Sequence, residues 1–163
     1  MSNDERWLIA GTSDAILAAW RLDNGKRCWI QKAGAKKKPE TLAINISLQT
    51  SRLLVAGAYG SLTLRDLESG KTIRRLPGHR GRVHDAAFTP DGARAVSVGE
   101  DRLIRIWDLA TFENTDILEG HDATIRCVAI SPDGTLAATG GEDDTLQVWS
   151  LETAERIACY FGD

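Results

Sequence analysis

At 163 residues, 42% hydrophobic and 26% charged, the chain has the length and composition of one folded globular domain rather than a disordered segment. Its formal net charge of −3 argues against the broad basic face that nucleic-acid binding needs, and no apolar run nears the roughly 20 residues of a membrane span. Three widely spaced cysteines (Cys28, Cys127, Cys159) do not make a disulfide framework, and no basic leader precedes an apolar run at the start, so a reducing cytoplasm is the expected location.

From the N-terminus, "RWLIAG", "ILAAWRL" and "KRCWIQ" read as three short strands, with Asn24-Gly25 as a strong hairpin turn between the last two. "TLAINIS", "RLLVAG", "LTLRDL" and "TIRRL" supply four more, with Gln49-Thr50-Ser51 at the first turn. "RVHDAAF" then runs into Pro90-Asp91-Gly92, whose residues suit a tight turn, and "ARAVSV" returns from it. "LIRIWDL" alternates apolar and polar residues at period two, and "ENTDILEG" is a weaker fourth strand. Residues 120–161 repeat this pattern, including Pro132-Asp133-Gly134. No stretch has helical periodicity, so the expectation is an all-β chain of fifteen strands in antiparallel meanders.

The later units also repeat in detail. "GHRGRVHDAAFTPDG" begins at Gly78 and "GHDATIRCVAISPDG" begins 42 residues later at Gly120; "SVGEDRLIRIWDL" returns as "TGGEDDTLQVWSL". Self-similarity at this period marks a repeat architecture. These residues resemble the WD repeat, whose fold is a four-stranded blade of a β-propeller. The resemblance divides the chain into blades at 1–33, 34–77, 78–119 and 120–163, the first lacking its innermost strand and the second degenerate.

The resemblance also bears on the residues that look chemical. His79, Ser97 and Asp101, and again His121, Thr139 and Asp143, would suit a nucleophile, a base and an orienting acid. Both sets recur at the repeat period beside a tryptophan, Trp107 or Trp149. In WD repeats the matching residues form a hydrogen-bonded chain within the blade, and this structural role is expected here, ahead of a hydrolase built on Ser97. The first unit keeps Asp14 and Trp20 but has Ala10 at the hydroxyl place. The second has Ala35, Ala56, Tyr59 and Arg65 around the corresponding places and is expected to be the least rigid blade.

No metal-ligand spacing, calcium loop or phosphate-binding loop is present, so neither metal nor cofactor is expected, and "GEDD" (141–144) reads as a turn. Lys36-Lys37-Lys38 reads as a solvated loop. Arg74, Arg75, Arg80 and Arg82 gather near one connection. Cys127 is expected to be small and buried, while Trp7 and Trp29 fit either a core or an exposed anchor.

Function is then expected from a surface. The face commonly used by WD proteins implies Arg82 and His84 in the third unit, Thr124 and Arg126 in the fourth, and the turn residues Ser13, Glu100 and Glu142, with Arg82 and Arg126 foremost. Val83, Ala86 and Phe88, with Ile125, Val128 and Ile130, should point into the blade stack. The expected function is a non-enzymatic interaction scaffold for a protein or peptide, with no nucleic-acid or membrane partner. The alternative is a regulatory or sensor segment of a larger protein carrying an ATPase, kinase or protease domain. Four units would leave two flanks open, so the chain is expected either to belong to a longer array or to join a second copy head to tail in an eight-bladed ring.

Overall fold

A computed structural model describes residues 6–12, 16–32 and 41–162. It holds fifteen strands and no helix among these residues, so no helix is long and apolar enough to cross a membrane. The strands form four antiparallel meanders, each pairing in chain order. The first has β1 (Trp7–Gly11), β2 (Ile16–Arg21) and β3 (Arg27–Lys32). The second has β4 (Thr41–Ser47), β5 (Arg52–Gly57), β6 (Leu62–Asp66) and β7 (Thr72–Arg75). The third runs through β8 (Val83–Phe88), β9 (Arg94–Gly99), β10 (Ile104–Asp108) and β11 (Asn114–Leu118). The fourth contains β12 (Ile125–Ile130), β13 (Leu136–Gly141), β14 (Thr145–Ser150) and β15 (Arg156–Phe161). This is the expected set of 3, 4, 4 and 4 strands.

The turn chemistry does what the residues suggest. Asp91 accepts from the Thr89 hydroxyl and the Ala93 amide, and Gly92 at φ +67° donates to the Thr89 carbonyl. Asp133 and Gly134 repeat this arrangement with Ser131. In the second sheet Ser51 takes the corresponding backbone at φ +51°, a conformation that glycine adopts more cheaply.

Sheet packs on sheet through three seams. Between the second and third, Leu54, Leu62, Leu64 and Leu76 meet Val83, Phe88, Ala95 and Trp107. Between the third and fourth, Val96, Val98, Ile104 and Ile106 meet Ile125, Val128, Trp149 and Leu151, with Ile130 partly buried against them. Trp7, Ala19 and Leu67 form the seam of the first two sheets, flanked by Trp29. Both tryptophans left open by the sequence therefore belong to this seam. Arg21 lies over the Trp7 ring at 4.6 Å, and Trp29 lies against Gly70, where an added Cβ would come within 2.7 Å of the indole.

Each seam also carries polar tethers. The carbonyls of Leu67, Leu109 and Leu151 occupy one place in successive sheets. They accept from Trp29 Nε1 (2.9 Å), Arg52 Nη1 (3.2 Å) and Arg94 Nη1 (2.6 Å), each donor lying on the preceding sheet. On the inner strands, Asn45 accepts the Phe88 amide and Asp85 accepts the Val128 amide. Such bonds satisfy backbone groups that the ladders leave over.

Cys127 is exposed, contrary to expectation. It takes the register position of Asp85, which reaches toward the following sheet, so it sits on the face of the fourth sheet turned away from the third. Leu146 and Tyr160 are exposed on that face.

Candidate functional site

The two polar chains are laid out on the third and fourth sheets. In the third, His79 Nδ1 lies 2.9 Å from Asp101 Oδ1 and His79 Nε2 lies 2.8 Å from Ser97 Oγ. Trp107 Nε1 donates to the same hydroxyl at 2.8 Å. In the fourth, His121 Nδ1 lies 2.9 Å from Asp143 Oδ2 and its Nε2 lies 2.8 Å from Thr139 Oγ1, which also accepts from Trp149 Nε1 at 2.9 Å.

Proton placement follows from chemistry. An ionised carboxylate only accepts, so Nδ1 carries the proton and Nε2 accepts from the hydroxyl. That hydroxyl oxygen in turn accepts the indole N–H. Each member has its partner, and the imidazoles are fully buried. As a nucleophile the arrangement is poor: Ser97 is wholly buried and engaged on both sides, which leaves no approach for a substrate carbonyl.

The carboxylates also fix loops. Asp101 accepts the Arg80 amide and Asp143 the Asp122 amide. Burial pushes the Asp143 carboxyl up, but the Thr145 hydroxyl, the Asp122 amide and His121 more than reverse this and hold it at about 2. Burial also opposes Asp101, and His79 and the Arg80 amide bring it below its ordinary value. A carboxyl depressed by folding stabilises above its unfolded pKa, and this contribution is lost as pH falls through the folded value. The urea midpoint is therefore expected to fall between pH 4 and pH 2. Asp143→Asn should flatten part of that dependence; the rest includes Asp133, also held at about 2 by Ser131 and Thr135.

The other units substitute for the chain. Trp20 is half-buried opposite Leu8, and Ala10 offers it no hydroxyl. Asp14 and Ser13 lie outside the described residues. In the second sheet the hydroxyl place falls on Val55, paired with Thr63, with Ala56 one register step away. Arg65, at the tryptophan place, donates to Thr63 Oγ1 (3.2 Å), the Gly70 carbonyl (3.1 Å) and Gln31 Oε1 (2.5 Å). A guanidinium thus replaces the indole and ties the second sheet to the first.

Apart from Ser13, the residues expected to meet a partner lie at the end of the sheets where the inner strands begin. Arg126 donates through Nε to Glu142 Oε1 at 2.9 Å, and its Nη2 also binds that oxygen. Its Nη1 reaches His84 Nε2 at 3.1 Å, across the seam of the third and fourth sheets. Burial, followed by the Arg126 charge, pulls the His84 imidazole below its ordinary value, so it is neutral at pH 7 and accepts from the guanidinium. Arg126 and then Thr124 hold the Glu142 carboxyl below its usual range. Glu100 accepts the Arg82 amide at 2.8 Å, so this carboxylate braces the start of β8. Arg74 stands apart, over the Phe112 ring.

His84 and Arg126 have a common local cause. The ladder shifts register between Val83 and Asp85 in β8 and between Ile125 and Cys127 in β12, leaving His84 and Arg126 as the extra residue of a bulge. The same shift between Thr41 and Ala43 makes Leu42 the extra residue of β4. Leu42 and Tyr59, both exposed at this end, were not among the expected site residues. Leu42 stands 42 residues before His84, a signal that the degenerate second unit concealed.

Comparison with known proteins agrees with this architecture. The family profile described as "WD domain, G-beta repeat" matches residues 70–108 and 112–150. The chain is 35% identical over 97 residues to "WD repeat-containing protein 36" of Homo sapiens, an alignment covering 60% of this chain and 10% of that protein. It is 32% identical over 117 residues to "THO complex subunit 6" of Homo sapiens, covering 68% of this chain and 34% of that one. A solved structure titled "Crystal Structure of Mitotic Checkpoint Complex" contains a chain of the same fold, with TM-score 0.85, 22% identity, 96% of this chain and 50% of that chain covered. This chain therefore spans half or less of each protein it matches here. WD-repeat propellers are protein-interaction scaffolds. With its meanders, its repeated polar chain and these matches together, the chain belongs to the WD-repeat family.

Proposed function

We propose that the chain is a non-enzymatic scaffold that receives a protein or peptide partner on the end carrying Arg82, His84, Thr124, Arg126, Glu100 and Glu142. The observation that carries this reading is the Arg126 contact with His84 and Glu142: an exposed ion pair of the fourth blade and a half-buried imidazole of the third are held together at the ends of rigid strands. Binding residues placed on a stiff scaffold lose little freedom when a partner arrives. Arginine is also favoured where a few residues dominate binding. The Ser97 set supports no competing hydrolase role, because its members are buried and saturated.

The joint variant Arg82→Ala/Arg126→Ala tests the face. A partner captured from cells by the unaltered chain should be lost, with the thermal midpoint kept. Equal recovery by the variant would move the site elsewhere. Cytoplasmic residence is part of the proposal, supported by three unpaired thiols, of which Cys28 and Cys127 are exposed.

The exposed apolar face around Leu146 and Tyr160 favours a second reading, in which further blades cover it, from a larger regulatory protein or from a second copy closing a ring head to tail. Light scattering with size exclusion separates these. A dimer is expected for the ring, and a stable monomer at micromolar concentration excludes it.

A further inference from the structure

Three bulges set one side chain of each inner strand apart from the ladder: Leu42, His84 and Arg126. A bulge re-aims a side chain, and bulges at sheet ends often serve binding. The Arg126 contact with His84 shows that neighbouring bulge residues turn into one strip. The strip is graded, with an aliphatic group on the second blade, a neutral imidazole on the third and a guanidinium on the fourth.

The second-blade end has a further apolar group. Tyr59 is 71% exposed in the turn after β5, at the end where Gly57 pairs with Thr41, beside the start of β4. Its turn is rigid: Tyr59 and Gly60 both have positive φ, and the Gly60 amide donates to the Gly81 carbonyl. A Cβ on Gly60 would fall 2.2 Å from the His79 carbonyl oxygen, so the turn is pressed against the loop that enters β8. An aromatic ring held this way presents contact area at little ordering cost.

Charge completes the pattern. Arg80, Arg82 and Arg102 are exposed around the same end of the third blade. Among the described residues of that turn, Glu100 and Asp101 set two carboxylates against these three guanidinium groups, since Asp101 keeps its charge while accepting from His79. The fourth blade is the reverse, with Asp122, Glu142 and Asp144 at its end. An acidic ligand is thus drawn toward the third blade and repelled beyond Arg126.

We propose that this strip binds a short acidic peptide segment bearing one large apolar residue. The apolar side chain lies on Leu42 and Tyr59, and the carboxylates lie over Arg80, Arg82, His84 and Arg126. This deepens the proposed function and rests on its choice of face.

The probes are fluorescein-labelled decapeptides with one leucine or tryptophan among glutamates, the same peptides with lysine for glutamate, and versions with alanine for the apolar residue. Fluorescence polarisation should give the glutamate peptide an affinity at least about tenfold above both controls, weakening as salt rises. Tyr59→Gly, which removes the ring and suits the positive φ, and Leu42→Ser should each weaken it about tenfold while the thermal midpoint holds. Equal or tighter binding of the lysine peptide overturns the proposal, as does a glutamate peptide indifferent to Tyr59→Gly and Arg126→Ala, or no binding at millimolar peptide. The face itself is judged separately by partner capture with Arg82→Ala/Arg126→Ala. If that variant loses the partner while the peptides fail, only the ligand class is wrong.

Discussion

Replacing Trp107 with alanine is expected to destabilise the fold by about 3–5 kcal/mol, the largest loss for any single side chain discussed above. The indole is 1% exposed and fills the seam of the second and third sheets beside Leu54, Leu64 and Phe88. Neighbours from two sheets must move together to refill the space, so the cavity term stays large. The Ser97 hydroxyl also loses its indole donor. Trp107→Phe keeps most of the contact area and removes only the N–H, so a smaller loss of about 1–2 kcal/mol is expected. Trp20→Ala is the internal control: that ring is half-buried opposite Leu8 with no hydroxyl to serve, and its removal should cost less than half as much. Urea denaturation followed by circular dichroism measures all three. A Trp107→Ala loss no larger than that of Trp20→Ala would show that the seam does not depend on this ring.

Ser97→Ala and Thr139→Ala are each expected to cost about 1–3 kcal/mol, because either change strands an imidazole Nε2 and an indole N–H in a buried site. The loss should greatly exceed the value of the missing atoms, since the hydroxyl joins two strands and the loop entering a third: His79 precedes β8, Ser97 lies on β9 and Trp107 on β10. Thr139→Ser separates the two explanations. It keeps the hydroxyl and removes a methyl, so most of the stability should survive. If the serine and alanine variants are equally damaged, packing around the methyl matters and the hydrogen bonds do not. If neither is damaged, the polar chain contributes nothing.

Most of the architecture was legible because each strand is short, alternates and is bounded by turn residues, and because two units repeat almost residue for residue. Legibility failed where the repeat weakens. Without tryptophan or aspartate anchors the second unit could not fix its own register, so the sequence put Ala56 only near the hydroxyl place, which lies at Val55. Nothing in the pattern announces that Arg65 takes over the indole's role by reaching Gln31 on another sheet. Trp7 and Trp29 were undecidable for the same reason, since their partners are distant in sequence. Cys127 was misread because alternation tells which side of a strand a residue is on, but not whether anything covers that side. The Arg126 contact with His84 needed both the 42-residue period and the bulges, and only the period is visible in the sequence.

The carbonyl tethers also impose an order in time. Every donor precedes its acceptor along the chain: Trp29 by 38 residues, Arg52 and Arg94 by 57. During synthesis at about 5–20 residues per second, an arginine leaving the ribosome waits roughly 3–11 s for the carbonyl it will hold. Over that interval the newest blade has a folded predecessor behind it and an unsealed flank ahead. Until the following blade is made, the most recent sheet face of the nascent chain therefore stays without the tether that seals it.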